Sequence, residues 1–391
     1  MEQKKAAEIL EVHENEVTHF AVEDLFNSPN TLEGFLCKRS DHRYGALVLT
    51  KVNGEEVPHQ VVYGTPKQRY PFKMRRGERY YLWPKVILAV KTYEKLDGTN
   101  ILAYSYQDAE GTRFTTFKTR LTPVVRNGVQ ANHRDLWKTL LKEQTGLLEA
   151  SEKASEEVSV AFEMYGYSNP LLIAYEKPLE AKVIFGVSRK DASVLVPDEM
   201  GEIPETVRVK LSGTFEGSDP KALSDYFEKR QNQSEEKNHK KGEQIEGTEG
   251  EVFYLQEVDG WHQYKCKAPS VESIHRLNGG ELSESVVYPT ALNALESVEG
   301  ILTVEYVQNL LLEEFCEEIV ERSLGLVRTI VNGLNEKHAL IKKVKGLYET
   351  SGMTYEKDGR GGLMRYFSQN LEKEEMKKVF FILQNLGHVP R

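Results

Sequence analysis

The feature that most constrains this chain is a change of hydrophobic period near residue 275. Before it, short runs rich in Val, Ile, Tyr, Phe and Thr are punctuated by turn-forming peptides. "YGALVLTKV" (44–52) and "HQVVYGT" (59–65) bracket "NGEE", a hairpin signal. Runs at 86–94, 100–107 and 112–118 are separated by "LDGTN" and "DAEGT" and read as strands of an antiparallel sheet. "VSVAFEMYG", "AKVIFGVSR" and "IPETVRVKLSG" read as further strands, and "EVFYLQEV" and "HQYKCKA" as a hairpin around "DGW". Two helices interrupt this part. One is "HRDLWKTLLKEQTGLLEA", with Leu136, Leu140 and Leu141 on one face, and the other is "DPKALSDYFEKRQ", which carries its own cap. "NQSEEKNHKKGEQIEGTEG" (232–250) is nearly devoid of apolar residues and reads as a mobile loop. After residue 275 the 304–348 and 376–387 segments are helical throughout. The expectation is an α+β domain of antiparallel sheets with helices over 1–275, followed by an all-helical domain over 276–391.

Composition narrows the setting. At 391 residues, with 39% hydrophobic and 28% charged residues, the chain can build two or three domains with a real core. A net charge of −9 argues against coating nucleic acid by bulk charge but leaves room for a local basic groove. "MEQKKAAEIL" places charges where a secretory signal needs an apolar core, and no apolar run approaches a membrane span of about 20 residues. Cys37, Cys266 and Cys316 are far apart, which fits a reducing cytoplasm better than a disulfide framework or a cysteine zinc site. The histidines have no zinc-binding spacing.

One octapeptide, "YEKLDGTN" (93–100), concentrates chemistry. By itself, Lys-x-Asp-Gly is ordinary turn composition. The other reading is a nucleophilic lysine. An amine of ordinary pKa about 10.4 must then be made neutral by nearby cations, a metal or desolvation. Lys95 at the end of an apolar strand would sit at a pocket rim, with Asp97 near enough to engage a metal or a ribose and Gly98 permitting close backbone approach to a ligand. Downstream lie "FEMYG" (162–166), "KVIFGVSR" (182–189), "EGEV" (249–252) and "YKCKAP" (264–269). Glu163 and Glu249 are carboxylates at strand ends, suited to hydrated Mg²⁺. Lys265 and Lys267 alternate, so on a strand both ammonium groups point one way, towards a triphosphate or simply towards water.

In order and spacing these pieces resemble the covalent nucleotidyltransferase superfamily of ATP-dependent polynucleotide ligases and mRNA-capping enzymes. That family carries Lys-x-Asp-Gly, Phe-Glu-x-x-Gly, an aromatic-bearing strand, Glu-Gly-x-Val and Lys-x-Lys, matched here over about residues 90–270. The resemblance implies an ATP-grasp-like ligase fold in which Lys95 is the catalytic nucleophile. It implies nucleotide contacts from Glu94 (adenine), Asp97, Gly98, Arg120 (sugar or nucleic-acid end), Glu163 (ribose), Phe185 (purine face), Lys265 and Lys267. Metal contacts through water fall to Glu163 and Glu249. ATP and Mg²⁺ or Mn²⁺ are the implied cofactors. Glu251 is a departure, since relatives often have an apolar residue there, and Glu246-Gly247 offers a second register that the strand-like "VFYL" disfavours.

The helical tail in place of an OB-fold's short strands, together with "KLDGTN", looks nearest to ATP-dependent RNA ligases. These would join a 5′-phosphate and a 3′-hydroxyl RNA end, as in RNA repair. A homodimer through the helical domain is an analogy with such enzymes. A capping guanylyltransferase, a DNA ligase and a non-catalytic RNA-binding protein on a degenerate nucleotidyltransferase fold are the alternatives. Finally, "RYPFKMRRGERYYLWPK" (69–85) interleaves Arg69, Lys73, Arg75, Arg76, Arg79 and Lys85 with aromatics. It suits either an RNA-backbone groove with stacking or a basic hairpin covering a core edge.

Overall fold

The computed structural model describes residues 2–391 except 39–42, 67, 76–77, 128–131, 170–171, 242–243, 275–281, 297, 299, 315–316, 387 and 390–391. Arg76 and Cys316 thus lie outside the described residues, while Cys37 and Cys266 are buried and in no disulfide. The chain forms two compact units, Met1–Ser283 with Leu312–Val320, and Glu284–Leu311 with Glu321–Arg391.

The first unit opens with helix α1 (Gln3–Leu10) and a four-stranded antiparallel sheet of β1 (Val17–Glu23), β2 (Thr31–Cys37), β3 (Leu47–Val52) and β4 (Glu55–Val62) in sequence order. The β3–β4 turn uses Asn53 and Gly54 at φ 56° and 80°, the left-handed pair that a two-residue hairpin requires. β3 is apolar on both sides for a reason. Val48, with Ala46 just before the strand, packs under α1, whereas Leu47 and Leu49 pack into the central core.

A short hairpin, β5 (Phe72–Arg75) with β6 (Glu78–Tyr81), leads into a nine-stranded sheet. Its strands are β7 (Ala89–Lys95), β8 (Thr99–Gln107), β9 (Arg113–Lys118), β10 (Val158–Tyr165), β11 (Glu180–Ser188), β12 (Val194–Leu195), β13 (Leu211–Phe215), β16 (Gly250–Glu257) and β17 (Gly260–Lys267). They run in the order β13-β7-β16-β17-β12-β11-β10-β8-β9. β12 is two residues long and meets β17 through one pair, Val194 with Trp261. It divides the sheet into two leaves, β13-β7-β16-β17 and β11-β10-β8-β9. Tyr93, Val252, Tyr254 and Trp261 from the first leaf share one core with Tyr104, Ala161, Tyr165, Phe185 and Val187 from the second. The two leaves therefore face each other, and the Tyr254 hydroxyl donates across to the Ile184 carbonyl at 2.9 Å.

Helices close the outer faces. α2 (His133–Glu143) and α3 (Thr145–Ser151) cover the second leaf. The expected single helix over 133–150 is broken at Gln144, whose φ and ψ of −118° and 87° are non-helical. Leu140 and the unforeseen Trp137 are its fully buried anchors. α4 (Pro220–Glu235) covers the first leaf. Asp219 caps it by accepting from the N–H groups of Lys221 and Ala222, with Pro220 at the first helical position.

Two expectations are corrected. The polar 232–250 segment is not a loop throughout. Its first turn continues α4, burying Ser234, and the rest forms a hairpin of β14 (His239–Lys241) and β15 (Gln244–Glu246). The single aliphatic residue Ile245 anchors the hairpin, buried and hydrogen-bonded to the backbone of Leu172 and Ala174. In "IPETVRVKLSG" only Leu211 onward is strand, because Glu205–Val207 turns as a 3₁₀ helix.

After α5 (Pro269–Ile274), the remaining helices are α6 (Glu284–Glu296), α7 (Val304–Glu314), α8 (Glu317–Arg322), α9 (Leu324–Ser351), α10 (Tyr355–Asn370) and α11 (Lys373–Asn385). In the second unit, Leu340 and Val344 of α9 pack with Leu363 and Phe367 of α10 and Val379 and Leu383 of α11. Among the described residues no helix is long and apolar enough to cross a membrane.

Candidate active site

Chemistry-bearing side chains gather at one end of the two leaves. β7 ends at Lys95, β16 begins at Gly250 and β17 ends at Lys267, and these three residues form one row across adjacent strands. Gly250 has φ +138°, and a Cβ on it would lie 2.1 Å from the Cys266 carbonyl oxygen. Only glycine fits there, and the close pairing it permits puts Lys95 and Lys267 on either side of Glu249. The Lys95 ammonium donates to Glu249 Oε2 at 2.6 Å, and the Lys267 ammonium lies 3.0 Å from Oε1. All three side chains are largely buried, with 13%, 3% and 5% exposure for Lys95, Lys267 and Glu249. Lys265 is also buried and points to the same face as Lys267 by strand alternation, with its ammonium 5.5 Å from the centre of the Tyr70 ring.

The second leaf supplies Glu163, cross-strand from Asn100. Burial, reinforced by the charges of Glu249 and Asp97 and opposed by Lys95, pushes its carboxyl up to about 8. Asp97 is pushed up to about 6, by burial first and then by Glu249. Its Oδ2 accepts from the N–H groups of Leu172 and Ile173 at 2.7 and 2.8 Å, and its own N–H donates to the Tyr175 hydroxyl at 2.7 Å. Asp97 therefore fixes the 172–173 strand-like segment, which in turn holds Ile245. Gly98 serves packing too: a Cβ there would lie 2.3 Å from the Met164 carbonyl oxygen, so the close approach is to β10 rather than to a ligand.

The other predicted residues take different positions. Glu94 leaves β7 on the side opposite to Lys95, is exposed, and sits cross-strand from Glu251. Arg120 packs at the N-terminal sheet, its Nε donating to Thr65 at 3.1 Å and its guanidinium 5.9 Å from the Tyr44 ring centre. Phe185 is 3% exposed within the central core. Glu246 is exposed in β15, so the register with Glu249 directly before β16 is the one that reaches Lys95. Glu251 points to the opposite face, where the Arg230 guanidinium of α4 pairs with it through Nε at 2.8 Å and through a second N–H. That pairing accounts for a carboxylate at an otherwise apolar position.

Several contributors were missed. Gln231 of α4 donates to the Lys267 carbonyl at 2.7 Å and accepts from Arg79 at 2.5 Å, and nothing local marks it. Tyr175 lies in an irregular segment without a motif. Asn100 adjoins the lysine motif, so alternation on β8 could have placed it by Glu163. Lys118 is a buried lysine pushed down to about 7 by burial, donating to the Thr119 and Arg120 carbonyls.

The carboxylates fit a cation. The charge of Glu249 raises the proton affinity of Glu163 and Asp97, and a divalent ion relieves the same repulsion. Glu249 and Glu163 are the residues that would hold it. The triad Glu257, Asp259 and His262 also has ligand atoms within 4.8 Å of one another, but it lies in the β16–β17 turn at the far end of those strands. A cavity of about 910 Å³ lined by Arg113, Glu149, Lys153 and Glu202 shares no residue with the Lys95 cluster.

Solved structures similar to the chain include ATP-dependent ligases. It is similar to an archaeal ATP-dependent RNA ligase in form 1, at 16% identity over 82% of this chain and 81% of that one, with a TM-score of 0.43. It is similar to a putative ATP-dependent DNA ligase from Aquifex aeolicus, at 14% identity over 98% and 88%, with a TM-score of 0.40. Naegleria gruberi RNA ligase with PPi gives 10% identity over 67% and 98%, with a TM-score of 0.34. No family model and no curated protein matches the chain.

Proposed function

We propose that this chain is an ATP-dependent ligase that joins RNA 5′-phosphate and 3′-hydroxyl ends. The observation that carries the reading is the buried Lys95–Glu249–Lys267 bridge with Glu163 and Asp97 beside it. Residues scattered over more than 170 positions converge on one amine, with cations for a polyanion and carboxylates for a metal. A solvated turn needs none of these.

In this reading neutral Lys95 attacks the α-phosphate of ATP. An N–P bond forms, the bond to pyrophosphate breaks, and the amine proton is lost. AMP then passes to an RNA 5′-phosphate, freeing Lys95, and a 3′-hydroxyl attacks the activated end and releases AMP. Lys265 and Lys267 orient the phosphates and stabilise the leaving pyrophosphate. The Glu249 carboxylate at 2.6 Å favours the charged form of Lys95, whereas the nearby Lys267 ammonium opposes it. Glu163 and Glu249 would hold Mg²⁺ or Mn²⁺, which would supply charge neutralisation at the phosphates.

The test is incubation with α-labelled ATP or GTP and Mg²⁺, followed by intact mass. Wild type is expected to gain one AMP and Lys95→Ala none. A GMP adduct would assign a capping-type reaction, and no adduct with either nucleotide would assign a binding protein. An adduct persisting in Lys95→Ala would remove Lys95 as the nucleophile.

A further inference from the structure

The basic, aromatic 69–88 segment has two faces with different fates. Its inner face covers the first leaf. Phe72, Tyr81 and Trp83 surround Phe227 of α4, and Arg79 lies 4.6 Å from the Phe72 ring centre while donating to Gln231. Tyr81 and Trp83 donate to Glu228 and Ser224 of the same helix. These groups are engaged in packing. The outer face is not covered within the described residues. Lys73 stands cross-strand from Tyr80, both exposed, and Leu82 follows two residues on, on the same side. Tyr80, Leu82, Val86 and Leu88 are 63%, 45%, 50% and 60% exposed, a density of solvent-facing apolar groups that a folded chain ordinarily avoids.

The same 20 residues carry six basic side chains against one acidic, Glu78, on a chain whose net charge is −9. The segment is also attached to the site. Arg69 donates its N–H to the Gln263 carbonyl at 3.0 Å and accepts from the Lys265 N–H at 2.8 Å, and the next residue, Tyr70, lies beneath the Lys265 ammonium. At about 3.3 Å per residue, Lys73 lies within roughly 13 Å of that junction.

We infer that the outer face of the β5–β6 hairpin, with Lys73, Tyr80 and Leu82, is a docking platform that leads single-stranded RNA towards Lys265. Bases stack on Tyr80 and pack against Leu82, and phosphates run along Lys73, Lys85 and Arg69. Positive charge beside the exposed Tyr80 ring suits a strand with a charged backbone and π-faced bases, whereas a protein partner would be matched by the apolar groups alone. The inference rests on the ligase reading for its choice of RNA, so adenylylation of the wild-type chain is measured separately by intact mass. A chain without an AMP adduct defeats that reading while the binding comparison still tests this surface.

The experiment is fluorescence anisotropy of the full chain with a 5′-phosphorylated single-stranded RNA of about 12 nucleotides, between about 0.05 and 0.2 M salt. Tyr80→Ala is expected to weaken binding about tenfold, and Tyr80→Phe to restore it to within about twofold. Lys73→Gln is expected to weaken binding and to make the slope of log K against log salt shallower by about 0.7. Unchanged affinity in Tyr80→Ala with an unchanged slope in Lys73→Gln would overturn the proposal. Variants that leave RNA binding intact but alter sedimentation of the chain itself would give the patch to a second copy.

Discussion

Replacing Glu249 by glutamine tests whether the buried ion bridge organises the site. The carboxylate sits between two ammonium groups at 2.6 and 3.0 Å, and all three side chains are almost withdrawn from water. At an effective dielectric of about 20, each contact is worth about 5–6 kcal/mol of Coulomb energy. Much of that is offset by the cost of desolvating three charges. The amide of glutamine can still accept from one lysine, but its NH₂ end cannot face the other, so one ammonium loses the Glu249 charge it paired with. Removing one partner from such an arrangement costs about 3–5 kcal/mol. All three tryptophans, Trp83, Trp137 and Trp261, belong to the first unit, so urea unfolding followed by tryptophan fluorescence reads this unit. Glu249→Gln is expected to lower the unfolding free energy by that amount, read as a lower midpoint with an unchanged slope. Glu249→Gln combined with Lys267→Met removes the stranded ammonium, and its cost should fall short of the sum of the two single variants by about 1–3 kcal/mol. A single-variant cost below about 1 kcal/mol, or simple additivity, would refute the claim that the bridge holds Lys95 in place.

Two further outcomes use the same assay. Glu163 and Asp97 have folded values of about 8 and about 6, above their ordinary 4.5 and 3.8. Their contribution to stability is therefore full below about pH 4 and lost as pH rises, through about 6 for Asp97 and about 8 for Glu163. Glu163→Gln should flatten the decline above pH 6, and a wild-type midpoint that stays level from pH 5 to 9 would contradict the assignment. Arg230→Met strands the buried Glu251 carboxylate and should cost about 3–5 kcal/mol, most of it recovered by adding Glu251→Val. Failure of the second change to recover stability would show that Glu251 is not held in place by α4.

Local rules carried over well from sequence to structure. The period of two put Lys265 and Lys267 on one face, the Asn53-Gly54 pair placed a hairpin, and Asp219-Pro220 marked the start of α4. What failed depended on partners remote in sequence. Phe185 stands in a strand and could line a slot or a core, and which of these it does is set by the opposite leaf, not by its neighbours. Gly98 and Gly250 are both spaced as motif glycines, but their close contacts are the carbonyls of Met164 and Cys266, on strands the local sequence does not name. The polar 232–250 segment lacks an apolar period because its structure rests on single residues. Ser234 and Ile245 are buried, and Asn238 exchanges hydrogen bonds with the backbone of Thr248.

The same distinction explains why no single motif here is diagnostic. β7 pairs with β16, 154 residues downstream of Lys95 at Glu249, and not with β8, which follows it directly. A hairpin of β7 and β8 would have left Lys95 in a solvated turn, the bland reading of "LDGTN". The chain instead crosses from one leaf to the other between Lys95 and Thr99, and Gly98 permits the crossing by lying against Met164 on β10. Asp97 secures it with two backbone N–H groups from the 172–173 segment. The tetrapeptide is thus the bend that makes the leaves face each other, and the amine at its start is left between their carboxylates. The residues that build the curvature are the residues that place the chemistry.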